Sequence, residues 1–309
     1  MTQYNGRLIK LFLVNGSPNG LMIAEITDWT GIAFVIPRLA LKNFLDRKES
    51  EETGVYILTC SDLKGVYDQI VYVGQSDSVG SRLKQHDKNV EKDFERAIVF
   101  ISKDKNLTSA HARHLESELV KKIKLAGRAG TSNGNDPGGS SLPESDISDM
   151  NRFMQKIELV LPVLGLDILR PIPSRPKLSE KSIGLPENLQ SLDTFDAIFI
   201  FEKDGTCAEA IESKGEFVVL TGSLVRVKEN PTIPTPHQTL RKSLIQDGGL
   251  VETNDPKLYK LTKDVPFKSP SAAAGMVYGG TANGQWEWKV KETGESYADW
   301  RETTLMRSS

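Results

Sequence analysis

Cysteine is scarce. Only Cys60 and Cys207 occur in 309 residues, far apart and without metal-ligand spacing, which argues against a disulfide framework or a zinc site. A reducing, cytoplasmic setting is therefore expected. Also missing is any apolar run near the roughly 20 residues that span a bilayer, so no membrane partner is expected. The N-terminus, "MTQYNGRLIK", has no basic stretch ahead of a long apolar core, and no secretory leader is expected from it. A strong charge of one sign is lacking too. Lys and Arg number 39 against 41 Asp and Glu, a net charge of -2, which neither announces nucleic acid nor excludes a local basic groove. What remains is the balance of a soluble globular protein, 38% hydrophobic and 26% charged, long enough for two domains with their own cores.

Punctuation along the chain divides it. Residues 1–50 hold short alternating runs, "RLIKLFLV", "LMIAEIT" and "GIAFVIPR", broken by Gly, Asn, Asp and Pro, and read as a β-rich extension ending in a brief helix, "LALKNFLDRK". Residues 51–170 read as strand, strand, helix, strand and further helices. Residues 171–193, with "RPIPSRPKLSEKSIGLPENLQSLD", have prolines and polar residues without an apolar period and read as a linker. Residues 194–309 open a new set of strands with "DAIFIFE" and "EFVVLTGSLVRV" and read as a separate α+β domain.

The middle block carries the chemistry. "GVYIL" and "IVYVG" are β-branched and aromatic runs suited to an antiparallel hairpin. "SVGSRLKQHDKNVEKDF" reads as a helix in which Arg82 and His86, four apart, lie one above the other. "NLTSAHARHLESELVKKIKLAG" is a strong helix. Thr108 suits its N-cap, Leu115, Leu119 and Ile123 recur at helical spacing, and Gly127 can close it.

These pieces, in this order, resemble the GIY-YIG nuclease domain over about Thr53 to Asn133. Gly54-Val55-Tyr56 resembles the first half of its signature and Tyr72-Val73-Gly74 the second, with valine replacing isoleucine in both. "SRLKQH" resembles the helix bearing the family's arginine and histidine, and "HLESELVKKI" the helix with its metal-binding glutamate, here Glu116. "TSNGND" falls where the family has a closing asparagine, Asn133 or Asn135. The resemblance implies a small antiparallel sheet flanked by helices, and a Mg²⁺ or Mn²⁺ ion on Glu116 with waters and phosphate oxygens. It implies that Arg82 holds the scissile phosphate and stabilises developing charge. Tyr56 is implied to position or deprotonate the attacking water, helped by a cation or His86 because a free phenol is a poor base. Tyr72 is implied to bond phosphate or water, and Asn133 to order a loop or a phosphate.

Each piece also has a plainer reading. Strand tyrosines usually pack a core, an Arg/His pair is usually solvated, and Glu116 has Arg113 one turn back. Glu118, with Lys121 and Lys122 at helical spacing, reads as surface charge.

The last block, in "EFVVLTGSLVRV", "LRKSLIQDGGLVE" and "FKSPSAAAGMVYGGTANGQWEW", resembles a C-terminal domain of unknown function that accompanies such nucleases, and also the restriction-associated adenine-methylation domain. Ser269 suits the N-cap of "PSAAAGMVYGG", with Pro270 in its first turn. Asn283-Gly284 reads as a turn before a strand "QWEWKV", on which Trp286 and Trp288 share a face, as a platform for a base or as core. Arg226, Lys228, Arg241 and Lys242 read equally as a phosphate-contacting patch or as scattered surface charge. The expected function is a metal-dependent DNA endonuclease, as a monomer or a homo-oligomer, in restriction, phage defence or mobile-element biology. The alternatives are a catalytically silent DNA-binding or sensor protein and, in third place, an RNA nuclease.

Overall fold

The computed structural model describes residues 6–61, 69–89, 93–134, 137–173, 197–213, 215–231 and 233–307. They form two compact units, one up to Pro171 and one from Ile172 on, and the fold is mixed α+β. From residue 174 on, the expected linker lies outside the described residues, as does Asn135. Among the described residues no helix is long and apolar enough to cross a membrane.

The first unit is built on one sheet. Its strands are β1 (Ile9–Leu13), β2 (Met22–Ile26), β3 (Gly31–Pro37), β4 (Gly54–Ser61), β5 (Gln69–Ser76), β6 (Arg96–Ser102) and β7 (Gly130–Thr131), in the order β1-β2-β3-β6-β4-β5-β7. Neighbours are antiparallel except β5 and β7. The N-terminal strands therefore continue the sheet of the middle block, with β3 paired to β6 from Gly31 opposite Ser102 to Pro37 opposite Arg96. Composition explains this. "GIAFVI" and "AIVFIS" are apolar at nearly every position, so both faces must be covered, and both are buried throughout.

Strand alternation sorts the remaining side chains between two helical layers. Val55, Ile57, Val71, Val73 and Phe100 pack with Leu115 and Leu119 of α3 (Ser109–Ala126) and Ile157 of α4 (Glu144–Val163). Tyr56, Leu58 and Val99 pack with Phe44 of α1 (Leu41–Leu45) and Val79 and Leu83 of α2 (Val79–Lys88). The ends of α3 follow the local signals. Thr108 Oγ1 accepts from the His111 N–H at 3.3 Å, and Gly127 takes the left-handed conformation, φ 66°.

The second unit holds an eight-stranded sheet: β8 (Ile198–Lys203), β9 (Thr206–Ser213), β10 (Glu216–Val219), β11 (Leu224–Arg226), β12 (Leu250–Glu252), β13 (Leu258–Leu261), β14 (Val265–Phe267) and β15 (Trp288–Val290). With it run α5 (Thr235–Gln246), α6 (Pro270–Tyr278), α7 (Gly284–Glu287) and α8 (Tyr297–Arg307). Ser269 caps α6 by accepting from the Ala272 N–H at 3.2 Å, and the small Ala273 and Ala274 are fully buried beside Phe201, Phe217 and Trp288.

Two expectations for this unit are corrected. Trp286 and Trp288 share no strand face. Asn283 Oδ1 accepts from the Gln285 N–H at 3.1 Å and starts the short α7, so the strand begins only at Trp288. Trp286 is 58% exposed, whereas Trp288 is fully buried and donates its indole N–H to Pro270 O at 3.0 Å. Arg241 is no phosphate contact either. It is 1% exposed and donates to Glu229 Oε1 at 3.1 Å, Met276 O at 2.6 Å, Val227 O at 3.3 Å and Arg226 O. The carbonyls left over at the end of α6 and after β11 need a donor, and the guanidinium fork supplies it.

Candidate active site

The register of β4 against β5 places the two tyrosines. Tyr56 stands opposite Gly74, and Tyr72 opposite Leu58, so the rings are diagonal neighbours on one face, centroids 6.3 Å apart. Gly74 is needed for this. A Cβ there would lie 2.3 Å from Tyr56 Oη and 2.5 Å from its Cζ, so the phenol occupies the space a side chain would take. The glycine of the second triplet thus makes room for the tyrosine of the first.

Helix α2 closes over the pair. Val79, Leu83 and His86 face inward at helical spacing, and His86 is 5% exposed. Its Nε2 lies 2.8 Å from Tyr56 Oη, and its ring meets those of Tyr56 and Tyr72 edge-on at 5.6 and 5.3 Å. One turn earlier, Arg82 is exposed, with Nη1 donating to Gln85 Oε1 at 2.9 Å. Its guanidinium is also within hydrogen-bonding reach of Tyr56 and Tyr72, and the bond to Tyr56 above all holds its pKa above the ordinary value. Arginine can only donate. Toward the two phenols it is therefore the donor, while Tyr56 Oη and His86 Nε2 share one hydrogen bond of 2.8 Å.

Burial governs the titration of this cluster. Tyr56 has no exposed surface, and desolvation pushes its phenol well above the usual range while the Arg82 hydrogen bond opposes the shift. Glu116, on α3, is partly buried. Desolvation raises its carboxyl, and the charges of Arg82 and Arg113 pull it back. Glu116 also acts electrostatically on Tyr56, which places the carboxylate in the field of the tyrosine–arginine group. Glu118 accepts from Lys121 at 2.8 Å on the surface.

Asn133 works on the backbone. Its Nδ2 donates to Val73 O at 2.8 Å and its Oδ1 accepts from the Val73 N–H at 3.1 Å, so the side chain extends β7 as a substitute strand and holds β5 between Tyr72 and Gly74. His111 turns to Asp146, 3.1 Å away, and to the cap of α3. Five of the six candidates, Tyr56, Tyr72, Arg82, His86 and Glu116, are thus in mutual contact or electrostatic reach, and Asn133 fixes the strand beneath them. Two contributors were not read from the sequence as site residues. Gln85, at helical spacing from Arg82, orients the guanidinium. The spatial role of Gly74 needs the strand register.

Glu116 is the group able to hold a metal. Among the described residues no set of three His, Cys, Asp or Glu side chains converges on one point. A lone carboxylate offers hard oxygen ligands and suits Mg²⁺ or Mn²⁺, which keep several waters, and a cation would offset the burial that disfavours its charge.

Comparison with known proteins bears on the second unit alone. Residues 199–301 are similar to a domain of unknown function, DUF4357. No curated protein and no solved structure matches the chain.

Proposed function

We propose that the chain is a divalent-metal-dependent DNA endonuclease of the GIY-YIG type, whose DUF4357-like C-terminal unit selects or holds the substrate. One observation carries the reading: Arg82, Tyr72 and Glu116 reach solvent around a buried Tyr56–His86 pair, so a guanidinium, two phenols, an imidazole and a carboxylate lie together.

Arg82 receives the scissile phosphate through its guanidinium fork and stabilises the charge that develops on its oxygens. Glu116 would hold a Mg²⁺ or Mn²⁺ ion, which would supply further charge neutralisation at the phosphate. In the free protein the Arg82 guanidinium is held by Gln85 within reach of the Tyr56 hydroxyl. Transfer of the guanidinium to a phosphate uncovers that hydroxyl, which then takes a proton from the attacking water as it passes its own to His86 Nε2. This relay answers the difficulty that a buried phenol does not ionise near neutral pH by itself. Tyr72, partly exposed beside it, bonds the water or a phosphate oxygen. Asn133 keeps β5, and hence both rings, in register.

The test is plasmid cleavage with Mg²⁺, Mn²⁺ or chelator, using DNA from adenine-methylating and non-methylating hosts. Wild type should cut in a metal-dependent way, and Glu116→Gln and Arg82→Ala should each lower the rate by at least about 100-fold, the scale of losing one transition-state contact. Absence of cutting with DNA binding intact in all three proteins would instead make this a binding or sensor module.

A further inference from the structure

At the far end of the sheet from the tyrosines, β1 is an edge strand. It pairs with β2 from Ile9 opposite Ile26 to Leu13 opposite Met22, and among the described residues nothing pairs with its outer side. Exposed strand edges in soluble proteins are usually blunted by charge, proline or a bulge. This edge carries one charge, Lys10, and no proline within "IKLFL". Leu8, Leu11 and Phe12 are 63%, 47% and 61% exposed, three large apolar side chains within five residues.

We propose that this edge is an interface for a second copy of the chain, paired antiparallel about a two-fold axis at Leu11, so that two seven-stranded sheets become one. The strand is complementary to itself in that register. Leu11 meets the partner's Leu11, and Ile9 meets the partner's Leu13. On the opposite face Lys10 meets the partner's Phe12, the ammonium stem lying along the ring. The rows then run on through β2: Ala24 lies beside Leu11, and Glu25 and Ile23 lie beside Lys10 and Phe12. No like charges face each other, and each exposed apolar side chain of β1 gains an apolar or cation–π neighbour. Moving the two-fold by one residue, to Lys10 or Phe12, slips the register by two and in the first case places lysine opposite lysine, which disfavours it. The interface is isologous, as a closed dimer requires. It is one strand wide, at the small end of specific interfaces, so its dissociation constant should be on the order of 10 µM.

The proposal stands on the sheet edge and is independent of the nuclease reading. Where that reading holds, it sets two catalytic sites on one continuous sheet, suited to cutting both strands of a duplex. Sedimentation velocity of the full chain from 1 to 100 µM should show monomer giving way to dimer. Leu11→Lys and Leu11→Glu, at a half-exposed position, should each stay monomeric at 100 µM with an unchanged far-UV spectrum, and their equimolar mixture should regain the dimer. Leu11→Cys should form an interchain disulfide under oxidation that wild type does not form, a readout that survives misfolding of the charged variants. A monomeric wild type at 100 µM, a dimer indifferent to Leu11→Lys, or charge variants that fail to rescue each other would overturn the interface. Sedimentation does not read cleavage, so loss of the nuclease reading would leave these results unchanged.

Discussion

Gly74→Ala places a methyl group where Tyr56 already lies. The new Cβ falls 2.3 Å from Oη, 2.5 Å from Cζ and 3.0 Å from Cε2, all at or below the closest approach that carbon tolerates. The phenol has nowhere to retreat. It is fully buried, its hydroxyl is 2.8 Å from His86 Nε2, and the rings of Tyr72 and His86 flank it. Overpacking a filled site costs about 1–3 kcal/mol, and displacing the hydroxyl from His86 adds the net worth of a hydrogen bond, about 0.5–1.5 kcal/mol. A total of roughly 2–4 kcal/mol lowers the melting temperature of a unit this size by about 5–15 °C. Differential scanning calorimetry of the full chain would read it, with Gly138→Ala as control, since a Cβ at Gly138 meets nothing within 4 Å. In a Tyr56→Phe background the closest encounter is gone, and Gly74→Ala should cost at least ~1 kcal/mol less there. A Gly74→Ala protein as stable as wild type, or an equal cost in both backgrounds, would refute the account of Gly74 as the seat of the Tyr56 ring.

Burial raises the Glu116 carboxyl above its ordinary value of 4.5, so the folded protein holds that proton more tightly than the unfolded chain. The associated stability is present below the unfolded value and is lost as pH rises through the folded one. Glu116→Gln, neutral throughout, should therefore gain stability relative to wild type between pH 5 and pH 8 in metal-free thermal melts, and an unchanged difference across that range would contradict it. Arg241→Met should cost the second unit about 3–5 kcal/mol by leaving Glu229 and the Met276, Arg226 and Val227 carbonyls short of a donor, read by denaturant titration. Trp288→Ala should cost about 3–5 kcal/mol and Trp286→Ala under about 0.5 kcal/mol, in line with full burial of the first and 58% exposure of the second. Equal costs for the two would reinstate a shared face.

Much of the local structure was legible in the residues because it is set within a few positions of itself. Thr108 and Gly127 bound α3, Ser269 caps α6, and the alternating runs form strands, since capping and period depend only on near neighbours. The order Tyr56, Tyr72, Arg82, His86, Glu116, Asn133 was likewise written in the chain. Tertiary contact decided what each of them touches. That Tyr56 is sealed while Arg82 stays exposed depends on α2 folding back across the hairpin, which brings together Tyr56 and His86, 30 residues apart. The Asn133 amide binds a strand 60 residues away, and no local signal distinguishes that bond from one to a phosphate. Arg241 and Trp286 show the limit in the other direction. Charge suggested an exposed arginine and alternation a shared tryptophan face, but unsatisfied carbonyls drew Arg241 inside and the Asn283 cap turned Trp286 out. Periodicity and capping are properties of short segments and survive in the sequence. Burial, and with it the chemistry of a side chain, belongs to whichever distant segment comes to cover it.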